Sequence, residues 1–266
     1  MTGVEELVAR RYRITGPLGS GGLGRVWLAV DEVRHRQVAI KKCSVPDGLT
    51  ESEQKLVRDW TVREARAVAR VRHPNVVRIH DALTGDDQPW IVMEYVPARS
   101  LLQLIKEDGV LPAEQVARIG LAVLQALNAA HRVGVLHLDV KPSNVLIADD
   151  GRIMLTDFGP AVTDAGIGAL NRAGVILGSP NYVAPERLSD GVSTAQADLW
   201  SLGATLYHAA EGRPPYARET VAATLEALGG GSPHPPRLAG ALTPVLDGLL
   251  QRDPTGRMTK VTAKIA

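Results

Sequence analysis

Apolar and polar positions alternate first with the period of strands. Between Tyr12 and Cys43 the order is strand, glycine-rich turn, strand, short turn, strand: "RVWLAVD" alternates with period two and "QVAIKK" carries β-branched residues. This pattern predicts an antiparallel sheet. From Lys55 to Arg72 the period lengthens to that of a helix, with Leu56, Trp60, Val68 and Ala69 recurring at helical spacing until His73 and Pro74 end it. "NVVRIHDAL" and "QPWIVMEYV" read as two further strands, after which Leu and Ala dominate. That shift places a boundary near Val96 and Pro97 and divides the chain into 1–96 and 97–266. Beyond it, "PAEQVARIGLAVLQALNAAHRVG" predicts a long core helix that starts with Pro112 in its first turn, carries Val116, Ile119, Val123, Leu124 and Leu127, and ends at Gly134. Helices are also predicted at Ala197 to Glu211, Glu219 to Leu228 and Thr243 to Arg252, interrupted by the Gly and Pro rich "GGGSPHPPR".

Composition narrows the class without changing this picture. A length of 266 residues suits one large core or two smaller ones, because single cores stop growing near ~250 to 300 residues. The 45 % hydrophobic and 22 % charged content excludes disorder and fibrous repeats. A formal net charge of +1 gives no field that would make nucleic acid or a membrane surface the main partner. The single cysteine, Cys43, excludes an internal disulfide and points to a reducing, cytoplasmic location. Met1 to Arg11 carries acids and lacks the apolar region of a secretory signal. "IGLAVLQALNAA" at 119–130 is too short and polar for a bilayer that needs ~20 residues, so no membrane contact is expected of this chain itself.

The chemistry sits in three stretches. "LGSGGLGRV" at 18–26 holds GxGxxG through Gly19, Gly21 and Gly24, where missing Cβ atoms let backbone amides approach phosphate oxygens. A dinucleotide-binding turn would lead into a helix, whereas here a strand follows, which favours a flap over phosphates. In "VAIKK", period-two alternation puts Ala39 and Lys41 on one face of a strand, and Glu64 in the following helix is the acid that could reach Lys41. "HLDVKPSN" at 137–144 gathers Asp139, Lys141 and Asn144, and is followed by "VLIA", the turn "DDGR" and "IMLTDFG" with a second acid, Asp157. The hard oxygens of Asn144 and Asp157 suit Mg²⁺, which takes few protein ligands and completes its shell with phosphate and water. Together with the flap, they imply a nucleotide triphosphate.

In order, GxGxxGxV, VAIK, the helix glutamate, HxDxKxxN, DFG and "APE" at 184–186 resemble the protein kinase family, and the series spans Leu18 to Arg257. "GSPNYVAPE" and Lys141 resemble the serine/threonine branch, and the Ala and Arg rich style resembles bacterial members of the eukaryotic-like (Hanks-type) group. The resemblance implies an α+β, bilobal fold: 1–96 an N-lobe with a small antiparallel sheet and one main helix, 97–266 a larger, mainly helical C-lobe, with an ATP cleft between. It implies ATP and Mg²⁺ as cofactors, with Mn²⁺ as an alternative metal. Asp139 would orient the acceptor hydroxyl and take its proton, and Lys141 would neutralise charge on the transferred γ-phosphoryl. Asn144 and Asp157 would hold the metal, and Lys41, fixed by Glu64, would contact the α and β phosphates. The strip Leu18, Gly19, Ser20, Gly21, Gly22, Leu23 and Gly24 would cover the β and γ groups. Adenine would lie between Val26 and Ala39 above and Leu146 below, its edge on the backbone of Glu94 and Val96, with Met93 limiting pocket depth.

The segment after Asp157 argues for a protein acceptor bearing Ser or Thr. Within it Glu186 would pair with Arg257 of "DPTGRMT", and "DLWSLG" at 198–203 resembles the helix start that anchors the catalytic loop. Family members switched by loop phosphorylation usually carry Arg before the catalytic Asp, because a guanidinium pairs bidentately with phosphate. Here Leu138 stands there, and Thr163 is the only hydroxyl side chain between Phe158 and Gly178. We therefore expect activity that does not depend on activation-loop phosphorylation, with Ser179 serving the substrate-binding loop. Leu23 replaces a common aromatic at the flap tip, and Pro160 after "DFG" removes an amide donor. A pseudokinase acting as a nucleotide-sensing binding module and a small-molecule phosphotransferase are the alternatives. The resemblance also allows a kinase-domain dimer. Because "RMTKVTAKIA" ends where the family's last helix usually still runs, it also allows a parent polypeptide that is longer and membrane-anchored.

Overall fold

The structure is a computed structural model that describes residues 7–21, 24–45, 48–84, 88–158, 179–189, 191 and 193–258. Its α+β class is the one expected. The described residues fall into two compact units, one drawn from Met1–Arg72 and Val77–Pro97, the other from His73–Val76, Ala98–Ala161 and Ile176–Ala266.

The first unit is a six-stranded antiparallel sheet in the order β1-β2-β3-β4-β6-β5, with β1 Leu7–Val8, β2 Tyr12–Gly21, β3 Gly24–Asp31, β4 Arg36–Cys43, β5 Ile79–Thr84 and β6 Pro89–Glu94. Alternation decides which side of the sheet is covered: Tyr12, Ala29, Val38, Ile40, Trp90 and Val92 share one buried cluster with Val8. The glycine-rich stretch is strand, turn, strand, with Gly21 paired to Gly24. Gly24 is set by packing as well as by any ligand: at φ +143°, a Cβ there would collide with the Lys42 carbonyl of the neighbouring strand.

Helix α1, Glu51–Val68, starts four residues before the apolar period suggested and stops short of Arg72. Its start is a capping box, in which Thr50 accepts from the Glu53 amide while the Glu53 side chain accepts from the Thr50 amide. The buried stripe is Val57, Trp60, Val62, Ala65 and Val68, whereas Leu56, expected on it, is 43 % exposed. Leu56 lies one position, or about 100°, off that stripe.

The second unit is mainly helical. A three-stranded sheet, β7 Ala98–Ser100, β8 Val145–Ala148 and β9 Ile153–Leu155, has β8 in the middle. His73–Val76 join this unit because Asn75 bonds to β9, its carbonyl accepting from Leu155 N–H at 2.8 Å and its amide donating to the Ile153 carbonyl at 2.7 Å. Helices α2 Leu101–Asp108, α3 Ala113–His131, α4 Pro185–Ser189, α5 Ala195–Glu211, α6 Val221–Gly230 and α7 Thr243–Leu249 follow. α2 and β7 had no counterpart in the sequence pattern, and Pro112 caps α3 from outside its first turn. α5 is buried along almost its whole length. Two glycines allow close helix crossings there: a Cβ on Gly120 would meet Leu206 Cδ1 at 2.9 Å, and one on Gly203 would meet Leu249 Cβ at 2.7 Å. None of the described helices is long and apolar enough to cross a membrane.

Candidate active site

Asp198, in the first turn of α5 and fully buried, organises the 137–144 stretch. Its carboxylate accepts from the backbone amides of His137 at 2.9 Å and Leu138 at 2.7 Å and bonds His131 Nε2 at 2.8 Å. A helix N-terminus is where such a carboxylate is favoured, and three donors compensate its desolvation. His137 is equally enclosed. Its Nδ1 accepts from Asp139 N–H at 3.2 Å, which assigns the ring proton to Nε2, facing the Thr156 carbonyl at 3.0 Å. Burial pushes this imidazole below its ordinary value, so it stays neutral and can accept. Phe158 lies against the same ring, centroids 4.5 Å apart.

Asp139, Lys141 and Asn144 form one hydrogen-bonded cluster. Lys141 Nζ donates to Asp139 Oδ2 at 2.6 Å and to Ser179 Oγ at 2.9 Å, and the Ser179 hydroxyl donates to Asp139 Oδ1 at 3.2 Å. The amide nitrogen of Asn144 donates to the Asp139 carbonyl at 2.9 Å and to Oδ2 at 3.3 Å. The carboxylate is therefore held on both oxygens, and Ser179 touches it directly rather than only lining a substrate loop. Sequence distance hid this contact, since Ser179 lies 40 positions from Asp139. Thr156 N–H donates to the Asn144 carbonyl at 2.9 Å, which ties the residue preceding Asp157 to Asn144. Asp157 has φ +55°, a left-handed conformation rare outside glycine. With its amide nitrogen committed to Asp139, Asn144 could offer an ion only its side-chain oxygen, which also accepts from Ser143 Oγ at 3.4 Å. One amide oxygen and one carboxylate make a hard but incomplete set, which fits an ion such as Mg²⁺ that draws its other ligands from phosphate and water. Among the described residues no cluster of three or more His, Cys, Asp or Glu could hold a metal by itself.

In the first unit, β4 places Lys41 across from Val26 on β3 and Ile91 on β6, and Ala39 across from Leu28 and Met93. Ala39, Met93 and Val96 are buried, while Leu18 is 44 % exposed. Glu64 sits in the middle of α1, which packs on β5 and β6. The Glu94 amide donates to the Arg78 carbonyl at 2.8 Å, so the Glu94 N–H is not the group that would meet a base. Gly19, Ser20 and Gly21 close β2, and Leu146 lies on β8 across from Ser100 in the second unit. Gly22, Leu23, Pro160 and Thr163 lie outside the described residues.

The segment from Ser179 to Ser189 is fastened at several points. Ser201 Oγ donates to the Tyr182 carbonyl at 2.8 Å, and the Tyr182 hydroxyl bonds His208 Nδ1 at 2.7 Å. Glu186 pairs with Arg257 as expected, in the interior, through two parallel bonds of 2.6 and 3.0 Å, with Arg257 2 % exposed and its guanidinium 5.2 Å from the centre of the Trp200 ring. Arg187, which no sequence signal singled out, donates from Nη1 to the Leu138 carbonyl at 2.7 Å.

The protein kinase domain family matches residues 12–265 of the chain. The serine/threonine-protein kinase PksC of Streptomyces coelicolor is 36 % identical over 259 residues, covering 92 % of this chain and 45 % of its own length. PknL, a serine/threonine-protein kinase of Mycobacterium tuberculosis, is 35 % identical over 210 residues, 79 % of this chain and 51 % of its own. A probable serine/threonine-protein kinase of Clostridium perfringens is 36 % identical over 213 residues and is covered to 30 %. The chain thus spans about half the length, or less, of the curated relatives it matches. Among solved structures, the kinase domain of PknI from Mycobacterium tuberculosis aligns with a TM-score of 0.72 and 29 % identity, covering 98 % of this chain and 95 % of that one.

Proposed function

Because the chain belongs to the protein kinase domain family, beside bacterial serine/threonine-protein kinases, we propose that it transfers the γ-phosphoryl group of ATP to Ser and Thr hydroxyls of proteins, with Mg²⁺. One observation carries this reading above the rest: Asp139 holds a hydroxyl, that of Ser179, on one carboxylate oxygen while Lys141 bridges its other oxygen to the same hydroxyl. An acceptor Ser or Thr needs the same two neighbours. Its oxygen attacks the γ-phosphorus, its proton passes to Asp139, and the bond from the γ-phosphorus to the bridging oxygen breaks to release ADP. Lys141 offsets charge on the moving phosphoryl group. Asn144 and Asp157 would hold Mg²⁺, which supplies charge neutralisation on the phosphates when bound, and Mn²⁺ fits the same donors.

In the first unit, Lys41 held by Glu64 would meet the α and β phosphates, and the strip from Leu18 to Gly24 would cover the β and γ groups. Val26, Ala39 and Met93 would form the apolar seat of the adenine in the first unit. The Glu94 carbonyl and the Val96 backbone would take the base edge. We place the reaction in the cytoplasm, where ATP and a reduced Cys43 coexist. With Leu138 before Asp139, no guanidinium from that position awaits a loop phosphate, and the reading includes activity independent of activation-loop phosphorylation.

The test uses γ-labelled ATP, Mg²⁺ and a generic basic protein, with Asp139→Asn as control. Label entering protein with wild type alone is the expected result. Nucleotide binding without transfer would instead make the chain a nucleotide-sensing module, and transfer only to a metabolite would make it a small-molecule phosphotransferase. Phosphatase treatment and Thr163→Ala should leave the rate within threefold. A tenfold fall, about 1.4 kcal/mol, would refute the loop-independent part.

A further inference from the structure

The peptide that joins Leu138 to Asp139 is gripped at both ends. Its N–H, belonging to Asp139, donates to His137 Nδ1 at 3.2 Å, and its carbonyl, belonging to Leu138, accepts from Arg187 Nη1 at 2.7 Å. The plane of this peptide sets where the Asp139 Cα–Cβ bond points. Leu138 itself sits at φ +61° with its side chain buried, a conformation that costs a non-glycine residue about 1–2 kcal/mol and persists only where its surroundings over-determine it. Asp198 supplies one constraint through the Leu138 amide at 2.7 Å, and Arg187 supplies the other.

Arg187 arrives from a fixed place. It lies on α4 next to Glu186, which Arg257 clamps from the interior, so the helix that carries it is fastened independently of the 137–144 stretch. Burial lowers the guanidinium from its ordinary range, while the charges of Asp198, Asp139 and Glu186 act to retain its proton. A guanidinium belonging to the chain thus stands against the peptide that precedes Asp139, delivered by the segment that also carries Ser179 and Tyr182.

We propose that Arg187 is a positioning residue for Asp139: by anchoring the Leu138 carbonyl it fixes the peptide plane that aims the carboxylate, and so couples the order of the Ser179–Ser189 segment to the 137–144 stretch without a phosphate. This inference rests on the reading of Asp139 as proton acceptor. The segment-to-loop connection that position 138 cannot make with its own side chain is made by a different residue running in the opposite direction.

The experiment measures kcat and KM for ATP in the full chain with γ-labelled ATP, Mg²⁺ and the basic protein, for Arg187→Met and Arg187→Lys, with and without phosphatase. Methionine keeps the stem and removes every donor. It should lower kcat tenfold or more with KM for ATP held within threefold. Lysine, which can give one bond to the same carbonyl, should return kcat to within about threefold of wild type, and phosphatase should change none of the three proteins. A kcat for Arg187→Met within threefold of wild type overturns the proposal, as does a change confined to KM. Should Arg187→Met fail to fold, Arg187→Gln decides by the same criterion. A wild type inactive on every protein acceptor sinks the reading of Asp139 and this inference together, whereas an active wild type with an indifferent Arg187→Met sinks only this one.

Discussion

Arg257 reaches back 71 positions to Glu186 and spends its guanidinium on five acceptors: both carboxylate oxygens and the carbonyls of Gln196, Gln251 and Arg252. Such a pair contributes little net stability over an apolar replacement, but removing one partner strands a buried charge at about 3–5 kcal/mol. Glu186→Gln should therefore destabilise the second unit by that amount in denaturant titration, and Glu186→Gln with Arg257→Met should recover part of the loss. Equal stability of Glu186→Gln and wild type would mean that the guanidinium finds other compensation. The pairing was legible because both residues sit in short motifs. Asp139, Lys141 and Asn144 were legible for a simpler reason, since eight consecutive residues hold them within reach of one another. Ser179 and Arg187 act from 40 and 49 positions away, and a single sequence carries no signal for which distant hydroxyl or guanidinium the chain will fold onto that stretch.

At the level of elements, the hydrophobic period located helices well where an apolar face faced a core and poorly where a cap fixed the boundary. α1 begins at Glu51 because of Thr50 and Glu53, which are polar and invisible to a periodicity search. α2 was missed although Ser100 and Gln103 make the same kind of box, because eight residues give too few turns for a period to emerge. Helix crossings were not legible at all, and glycines there separate two roles. Gly203 lets α5 and α7 approach: an added methyl would lie 2.7 Å from Leu249 Cβ and 3.3 Å from Leu250 Cδ2. Gly229 in α6 has nothing within 4 Å of such a methyl. Gly203→Ala should cost about 1–3 kcal/mol through overpacking, while Gly229→Ala should gain about 0.4–1 kcal/mol by restricting the unfolded chain. Thermal melts of the two variants should move in opposite directions. A gain at Gly203 would show that α5 and α7 can separate at little cost.

Across the whole molecule, buried imidazoles make folding sensitive to mild acid. His137 and His208, both in the second unit, are held below their ordinary value by burial, and half-buried His80 in the first unit shifts the same way for the same leading reason. The Tyr182 hydroxyl, which burial keeps protonated, bonds His208 Nδ1; with the neutral ring's proton on Nε2 that nitrogen is the acceptor, and protonating the ring then removes an acceptor that fastens the 179–189 segment. The sign follows from the neutral ring being the folded form. Above the unfolded value, near pH 6.5, both states are neutral and stability is full. As pH falls below it the unfolded chain takes up protons that the folded chain resists, so stability declines by up to about 1.4 kcal/mol per pH unit for each such group. Asp31 adds a second, separate step. Its hydrogen bonds from Arg11 lower its carboxyl from 3.8 to about 2, so the stability it gives is present above pH 4 and is lost as pH drops towards 2. Calorimetry from pH 8 to 2 should resolve the two steps. The transition of the second unit should begin to fall below pH 6.5, and His208→Asn should flatten that limb by about one proton's share. A transition that holds level from pH 7 to 5, or a limb unchanged in His208→Asn, would mean that the His208 ring is charged in the fold and that Tyr182 is held by something other than a neutral acceptor.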